Sequence, residues 1–157
     1  MSRWYFKVVN SNDMFSAIGD AVEYFMSEYE TGKAELTPQR GSRLWDLHMK
    51  IPGMMEHRYG QLQEIEAIMN YLEIQYDKAK GEKKRMYFEH YNRQLSERMA
   101  DQYADIEPEV LVIREFVQQV SLVRNHFLGL TKGIESLHFN AGHLNKLKAA
   151  GVEDATF

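Results

Sequence analysis

The sequence predicts an all-α protein: long amphipathic helices in a bundle, ending in one long C-terminal oligomerisation helix, with a short N-terminal extension that could hold one strand. Three observations lead there. Only Pro38, Pro52 and Pro108 interrupt 157 residues, so long stretches carry no helix breaker. Apolar residues recur at steps of three and four through most of the chain after Met55, which is the period of a helix face. A content of 44% hydrophobic and 27% charged residues is that of a folded domain with a core to bury.

The elements follow in order. Trp4 to Val9 is aromatic and β-branched and reads as an edge strand or extended arm. Ser11 or Asn12 caps a helix to about Tyr29, with Phe15, Ile18, Val22, Phe25 and Met26 on one face, and Thr31-Gly32 ends it. From Asp13 to Glu35 there are six acids and one base. Residues 1–35 are therefore read as an acidic, aromatic extension and 36–157 as the main helical domain.

Thr37-Pro38 is a second start signal. Leu44, Leu47 and Ile51 form a stripe that Pro52-Gly53 should break or kink. Met55, Leu62, Met69 and Tyr76 then recur every seven residues, with Ile65 and Leu72 at the complementary seam position. That helix is expected to reach about Ala79, with a turn or loosened point at Gly81. A basic helix over 82–103 comes next, apolar at Phe88, Tyr91, Leu95 and Met99. Ala104 to Pro108 is a stop and restart.

The last segment has the clearest period. Ile113, Phe116, Val120, Val123, Phe127, Leu130, Ile134, Leu137, Ala141 and Leu144 alternate steps of three and four. A helix over 109–148 would be about 60 Å long, so it either bends back or finds a second chain. Val120, Val123, Phe127, Leu130, Ile134 and Leu137 are assigned to a contact between copies. Gly129, Gly133 and Gly142 leave a break near 139–143 open.

Several chemistries find no residues. No cysteine is present, which excludes disulfides, thiolate metal sites and cysteine nucleophiles. No apolar run approaches the roughly 20 residues that cross a bilayer, and Lys7 interrupts an N-terminus without a signal-peptide core. A soluble, cytoplasmic protein without a membrane partner is expected. His48, His57, His90, His126, His138 and His143 complete no bundle dimetal motif, which takes Glu and His three apart on one face, supplied by paired helices. Thr31-Gly32-Lys33 lacks the upstream glycine of a phosphate loop. The expectation is no catalytic residue, no metal, no cofactor and no enzyme.

One segment points to a ligand. Lys78, Lys80, Lys83, Lys84 and Arg85 lead into Tyr87, Phe88, His90, Tyr91 and Arg93. Single-strand binders combine cations that follow the backbone with aromatic faces on which bases stack. Lys78, Lys80, Lys83, Lys84, Arg85, Tyr87 and Arg93 are the candidate DNA-binding residues. The alternative is a solvated charged face, with Phe88 and Tyr91 buried in the bundle.

These residues also carry a resemblance. Ile51-Pro52-Gly53-Met54-Met55-Glu56-His57-Arg58-Tyr59, the basic run to Lys83-Lys84-Arg85 before Tyr87-Phe88, and the acidic turn Ala104-Asp105 before a long apolar helix occur in one order. From Thr37 to Leu147 the chain resembles the tailed-phage recombination mediator family, the UvsY-type proteins. Where that family ends its last helix with basic residues, this chain has Glu135, Ser136 and His138.

The resemblance implies a ring-like homo-oligomer in the host cytoplasm. Such a ring binds single-stranded DNA and loads a recombinase in place of single-strand binding protein. Lys83, Lys84 and Arg85 match the family's DNA-binding patch; the other cations are added on charge and proximity. The competing expectation is a non-enzymatic helical structural or adaptor protein, a virion or complex subunit, that does not bind nucleic acid.

Overall fold

A computed structural model describes residues 3–37, 44–90 and 95–151. Five helices account for nearly all of them: α1 (Arg3–Val9), α2 (Met14–Leu36), α3 (Leu44–His90), α4 (Glu97–Asp105) and α5 (Pro108–Ala149). The fold is all-α, as the helical period predicts.

α3 and α5 form the frame, an antiparallel pair roughly 60–70 Å long at ~1.5 Å per residue. Ile51 near the start of α3 packs with Ile134, Leu137 and Ala141 near the end of α5. Farther along, Ile65, Ile68 and Leu72 share a core with Val120, Val123 and Phe127. α2 runs parallel to α5 in the groove between them. Phe15 meets Phe116 at 5.1 Å and Phe25 meets Phe127 edge-on at 5.9 Å. A Cβ on Gly32 would fall 2.5 Å from Leu130 Cδ2, so the two helices approach closely there.

That approach explains why α2 does not stop at Thr31-Gly32 as expected. Gly32 is a buried helical contact with no room for a side chain, and α2 continues to Leu36. Its N-cap is Asp13, whose Oδ1 accepts from the Ser16 amide at 3.1 Å, rather than Ser11 or Asn12.

Trp4 to Val9 is a helix and not a strand. Tertiary contacts override β propensity here. The Glu64 carboxylate accepts hydrogen bonds from the Trp4 and Tyr5 amides, satisfying donors that the first helical turn leaves open, and Val8 is fully buried. Residues 3–36 are thus packed into the common core, with Val8, Ile18, Ala21 and Phe25 beside Leu62 and Val120.

α3 continues without a break through Pro52 and Gly81. Pro52 lies on the exposed side and Ile51 beside it is locked into the α3–α5 contact, which offsets the lost backbone hydrogen bond. The expected basic helix 82–103 is two elements: residues up to His90 complete α3, and α4 begins after Ser96, whose Oγ accepts from the Met99 amide at 3.3 Å. Phe88, expected in the core, is 61% exposed. Pro38 and Tyr91 lie outside the described residues.

α5 is unbroken through Gly142 and closes at Gly151, which has φ +83°. Its seam is spent inside the chain. Val120, Val123, Phe127 and Leu130 belong to the core shared with α1, α2 and α3, and Ile134 and Leu137 to the core shared with Ile51. α2 and α3 of the same chain cover all six residues assigned to a contact between copies.

Candidate functional site

The basic segment occupies the last turns of α3, and α4 lies antiparallel against it. Lys80, Lys83 and Lys84 sit on neighbouring positions of one helix face because steps of three and four return to the same side. The carboxylates opposite are regularly spaced too. Glu97, Asp101 and Asp105 follow one edge of α4 at intervals of four.

The two rows interlock. Lys84 Nζ is 3.0 Å from Glu97 and 3.9 Å from Asp101. Lys80 Nζ is 3.3 Å from Asp101 and 2.9 Å from Asp105. Tyr76 donates its hydroxyl hydrogen to Asp105 at 2.9 Å. Lys83 is held by the start of α5, 2.8 Å from Glu109 and 3.9 Å from Glu107. Arg85 pairs within α3 to Glu89 at 2.8 Å.

The electrostatics follow the contacts. The hydrogen bond to Asp105 holds the Lys80 ammonium above its ordinary pKa, and the same bond holds the Asp105 carboxyl below its own. Glu109 raises Lys83 in the same way, and Glu89 raises Arg85. Burial first, then the bond to Asp105, raises the Tyr76 phenol.

The predicted DNA-binding residues therefore fall into groups. Lys80, Lys83, Lys84 and Arg85 come together but are paired with the chain's own acids. Tyr87 donates its hydroxyl to Glu107 and packs its ring 5.6 Å from Tyr103. Lys78 is exposed and makes no ion pair among the described residues. Arg93 lies outside the described residues. The Arg85 side chain remains 76% exposed beside Phe88. Both border a groove of about 330 Å³ that Gly81, Lys84, Glu89 and Glu97 also line.

A second polar centre went unread in the sequence. Arg58 is 1% exposed, wedged between α2 and α3. Its Nη1 donates to Glu28 and Gln61, each at 2.8 Å, and its Nη2 and Nε donate to Glu35 at 2.8 and 3.3 Å. Gln61 Nε2 also donates to Glu28 at 2.8 Å. That bond, together with Arg58, holds the Glu28 carboxyl below its ordinary pKa against the opposing effect of burial. The signal was available: Arg58 stands four before Leu62 and seven before Ile65, a charge on the apolar stripe.

His48, His126, His138 and His143 make ring contacts. His48 and His138 meet edge to face at 5.7 Å, His126 lies 4.6 Å from the Tyr29 ring, and His143 stacks on Phe139 at 6.5 Å. His57 Nε2 is 3.6 Å from Glu28. Among the described residues no three histidine or carboxylate side chains gather as metal ligands. Nor is any helix among them long and apolar enough to cross a membrane.

Comparison with known proteins gives no matching family model, no matching curated protein and no matching solved structure.

Proposed function

We propose that this chain is a non-enzymatic helical structural or adaptor protein that does not grip nucleic acid. One observation carries this reading: Lys80, Lys83, Lys84 and Arg85 are each paired to a carboxylate of the same chain. A phosphate backbone gains affinity by pairing with cations and releasing counterions. Cations already paired internally offer that gain only after their own pairs are broken. The use of His48, His126, His138 and His143 in ring contacts supports the non-catalytic part of the reading.

A second reading is the single-stranded-DNA-binding recombination mediator, acting with a recombinase and single-strand binding protein. The exposed pair Arg85 and Phe88 favours it, a cation beside an aromatic face on which a base can stack. In that reading Lys83, Lys84 and Arg85 grip phosphates. A homo-oligomeric ring would use surfaces other than the buried α5 seam.

Fluorescence anisotropy of a labelled oligothymidylate, titrated with the protein at low and near-physiological salt, separates the two. The adaptor reading expects no saturable binding at near-physiological salt. Tight binding that weakens steeply with salt would overturn it and favour the mediator.

A further inference from the structure

We infer that α4 is an autoinhibitory latch: an acidic helix held by charge over the Lys80–Lys84 edge of α3, whose release opens that edge to a linear phosphate polyanion.

The way α4 is held sets it apart from the other helices. α2 is anchored by Ile18 and Phe25, both in the main core. The buried residues of α4 are two alanines, Ala100 and Ala104, and neither belongs to a core cluster. Of the larger side chains in and just after α4, Met99 at 44% and Ile106 at 64% exposure face outward, while the Tyr103 ring rests against Tyr87 of α3. Beside that ring contact, α4 is docked by the interlocked row of Lys84, Glu97, Asp101, Lys80 and Asp105, with Tyr76 at its end. Such partly exposed pairs weaken as salt screens them, whereas apolar burial does not.

The geometry of α4 resembles a ligand. Its three carboxylates repeat about every 6 Å along one edge, four residues at ~1.5 Å each. A phosphate chain also carries a negative charge at each repeat unit, and can replace the carboxylates against Lys80 and Lys84. The opened edge would present Lys80, Lys84 and Arg85 in a row, with Phe88 beside it. Because α4 is tethered to α5, it competes as an intramolecular ligand. The affinity of the intact chain for a polyanion is then reduced by the fraction of molecules in the open state. The latch follows from how α4 is docked, under either functional reading.

The test compares the full chain with a triple variant, Glu97→Gln, Asp101→Asn and Asp105→Asn. Anisotropy of labelled oligothymidylate at near-physiological salt is expected to show a gain in affinity of about tenfold or more in the variant. Two freed cations, Lys80 and Lys84, predict a slope of log K against log salt steeper by about 1.4, from about −0.7 per phosphate contact on a single strand. Adding Lys80→Gln and Lys84→Gln should abolish the gain. Competition by inorganic polyphosphate identifies phosphate charge as sufficient; oligonucleotide that stays bound against polyphosphate identifies nucleic acid as the source. Better competition by poly-glutamate than by either overturns the phosphate assignment.

Hydrogen exchange on the unmodified chain keeps the proposal testable if the triple variant fails to fold. Raising salt should cut the protection of α4 amides while leaving α2 amides unchanged. No affinity gain in a folded variant, or equal salt response of α4 and α2, overturns the latch. Tight binding by the unmodified chain counts against the adaptor reading instead, and against the latch only when the variant shows no gain.

Discussion

Arg58 offers the sharpest test of how α2 is held, because its two sides respond differently to removal. Replacing Glu28 and Glu35 together by glutamine leaves a guanidinium that is 1% exposed with neutral amides in place of both carboxylates. Breaking a buried pair this way costs about 3–5 kcal/mol. Arg58→Met removes the buried charge instead and keeps most of the volume. Glu28 then retains Gln61 at 2.8 Å, and with side chains 26% and 38% exposed both acids can rehydrate. Exchange of a buried ion pair for apolar packing is often near neutral, so a loss of no more than about 2 kcal/mol is expected.

For a chain of this length, 1 kcal/mol moves the melting temperature by roughly 2–4 °C. The double carboxylate variant should therefore melt roughly 6–20 °C lower, and Arg58→Met within roughly 8 °C of the parent. Urea unfolding followed by circular dichroism at 222 nm, with the far-ultraviolet spectrum as a check on folding, measures both. Should Arg58→Met prove the more damaging, the charge is stabilising outright and the desolvation reasoning fails.

Other substitutions probe the remaining contacts. Phe127→Ala empties a fully buried position and should cost about 3–5 kcal/mol. Light scattering beside the melt distinguishes loss of the internal core from loss of an assembly. Gly32→Ala forces the buried Leu130 to move, and overpacking of about 1–3 kcal/mol should exceed the roughly 1 kcal/mol gained in helix propensity. At Gly129 a Cβ meets nothing within 4 Å, so alanine there should stabilise by up to about 1 kcal/mol. Denaturant melts of the two alanine variants should shift in opposite directions.

Acid should loosen both polar centres. The Glu28 and Asp105 carboxyls lie below their ordinary values of 4.5 and 3.8. Their contribution is complete above those values and is lost as pH falls through the lower folded ones. Lys80 lies above its ordinary 10.5, so its share is complete below that pH and lost as pH rises through the folded value. A pH series of urea midpoints should fall at both ends, and the acidic fall should shrink in a Glu28→Gln, Asp105→Asn variant.

Much of the fold was legible because burial leaves a period in the sequence. The ten-position stripe of α5 marks a buried face from Ile113 onward. What a period does not record is which elements do the burying; here α2 and α3 of the same chain cover the stripe. Propensity misled at Trp4–Val9, where Glu64, sixty residues away, caps the helix. Pro52 does not break α3, because a breaker on a solvent face is tolerated when its neighbour is pinned. The cations at 80–85 were plain in the sequence and their neutralisation was not. The four-residue spacing of Glu97, Asp101 and Asp105 was there to read, but only the antiparallel docking of α4 brings it opposite Lys80 and Lys84.

The antiparallel pairing of α3 with α5 also bears on the order in which the chain assembles. Polar contacts of α3 with the chain that follows it close loops of steadily increasing length: 13 residues for Lys84–Glu97 on α4, 20 for Tyr87–Glu107 before α5, 29 for Tyr76–Asp105 on α4, and 58 for Glu66–Arg124 and 76 for Tyr59–Glu135 on α5. Lengthening a loop from 20 to 76 residues costs about 1 kcal/mol of closure entropy, so the end near α4 is the less costly place to begin. The frame should zip from that end toward Tyr59, and α2 should settle last into the groove it leaves. Substitutions around Arg58 should then speed unfolding and leave the refolding rate nearly unchanged, a pattern that stopped-flow chevrons would read directly.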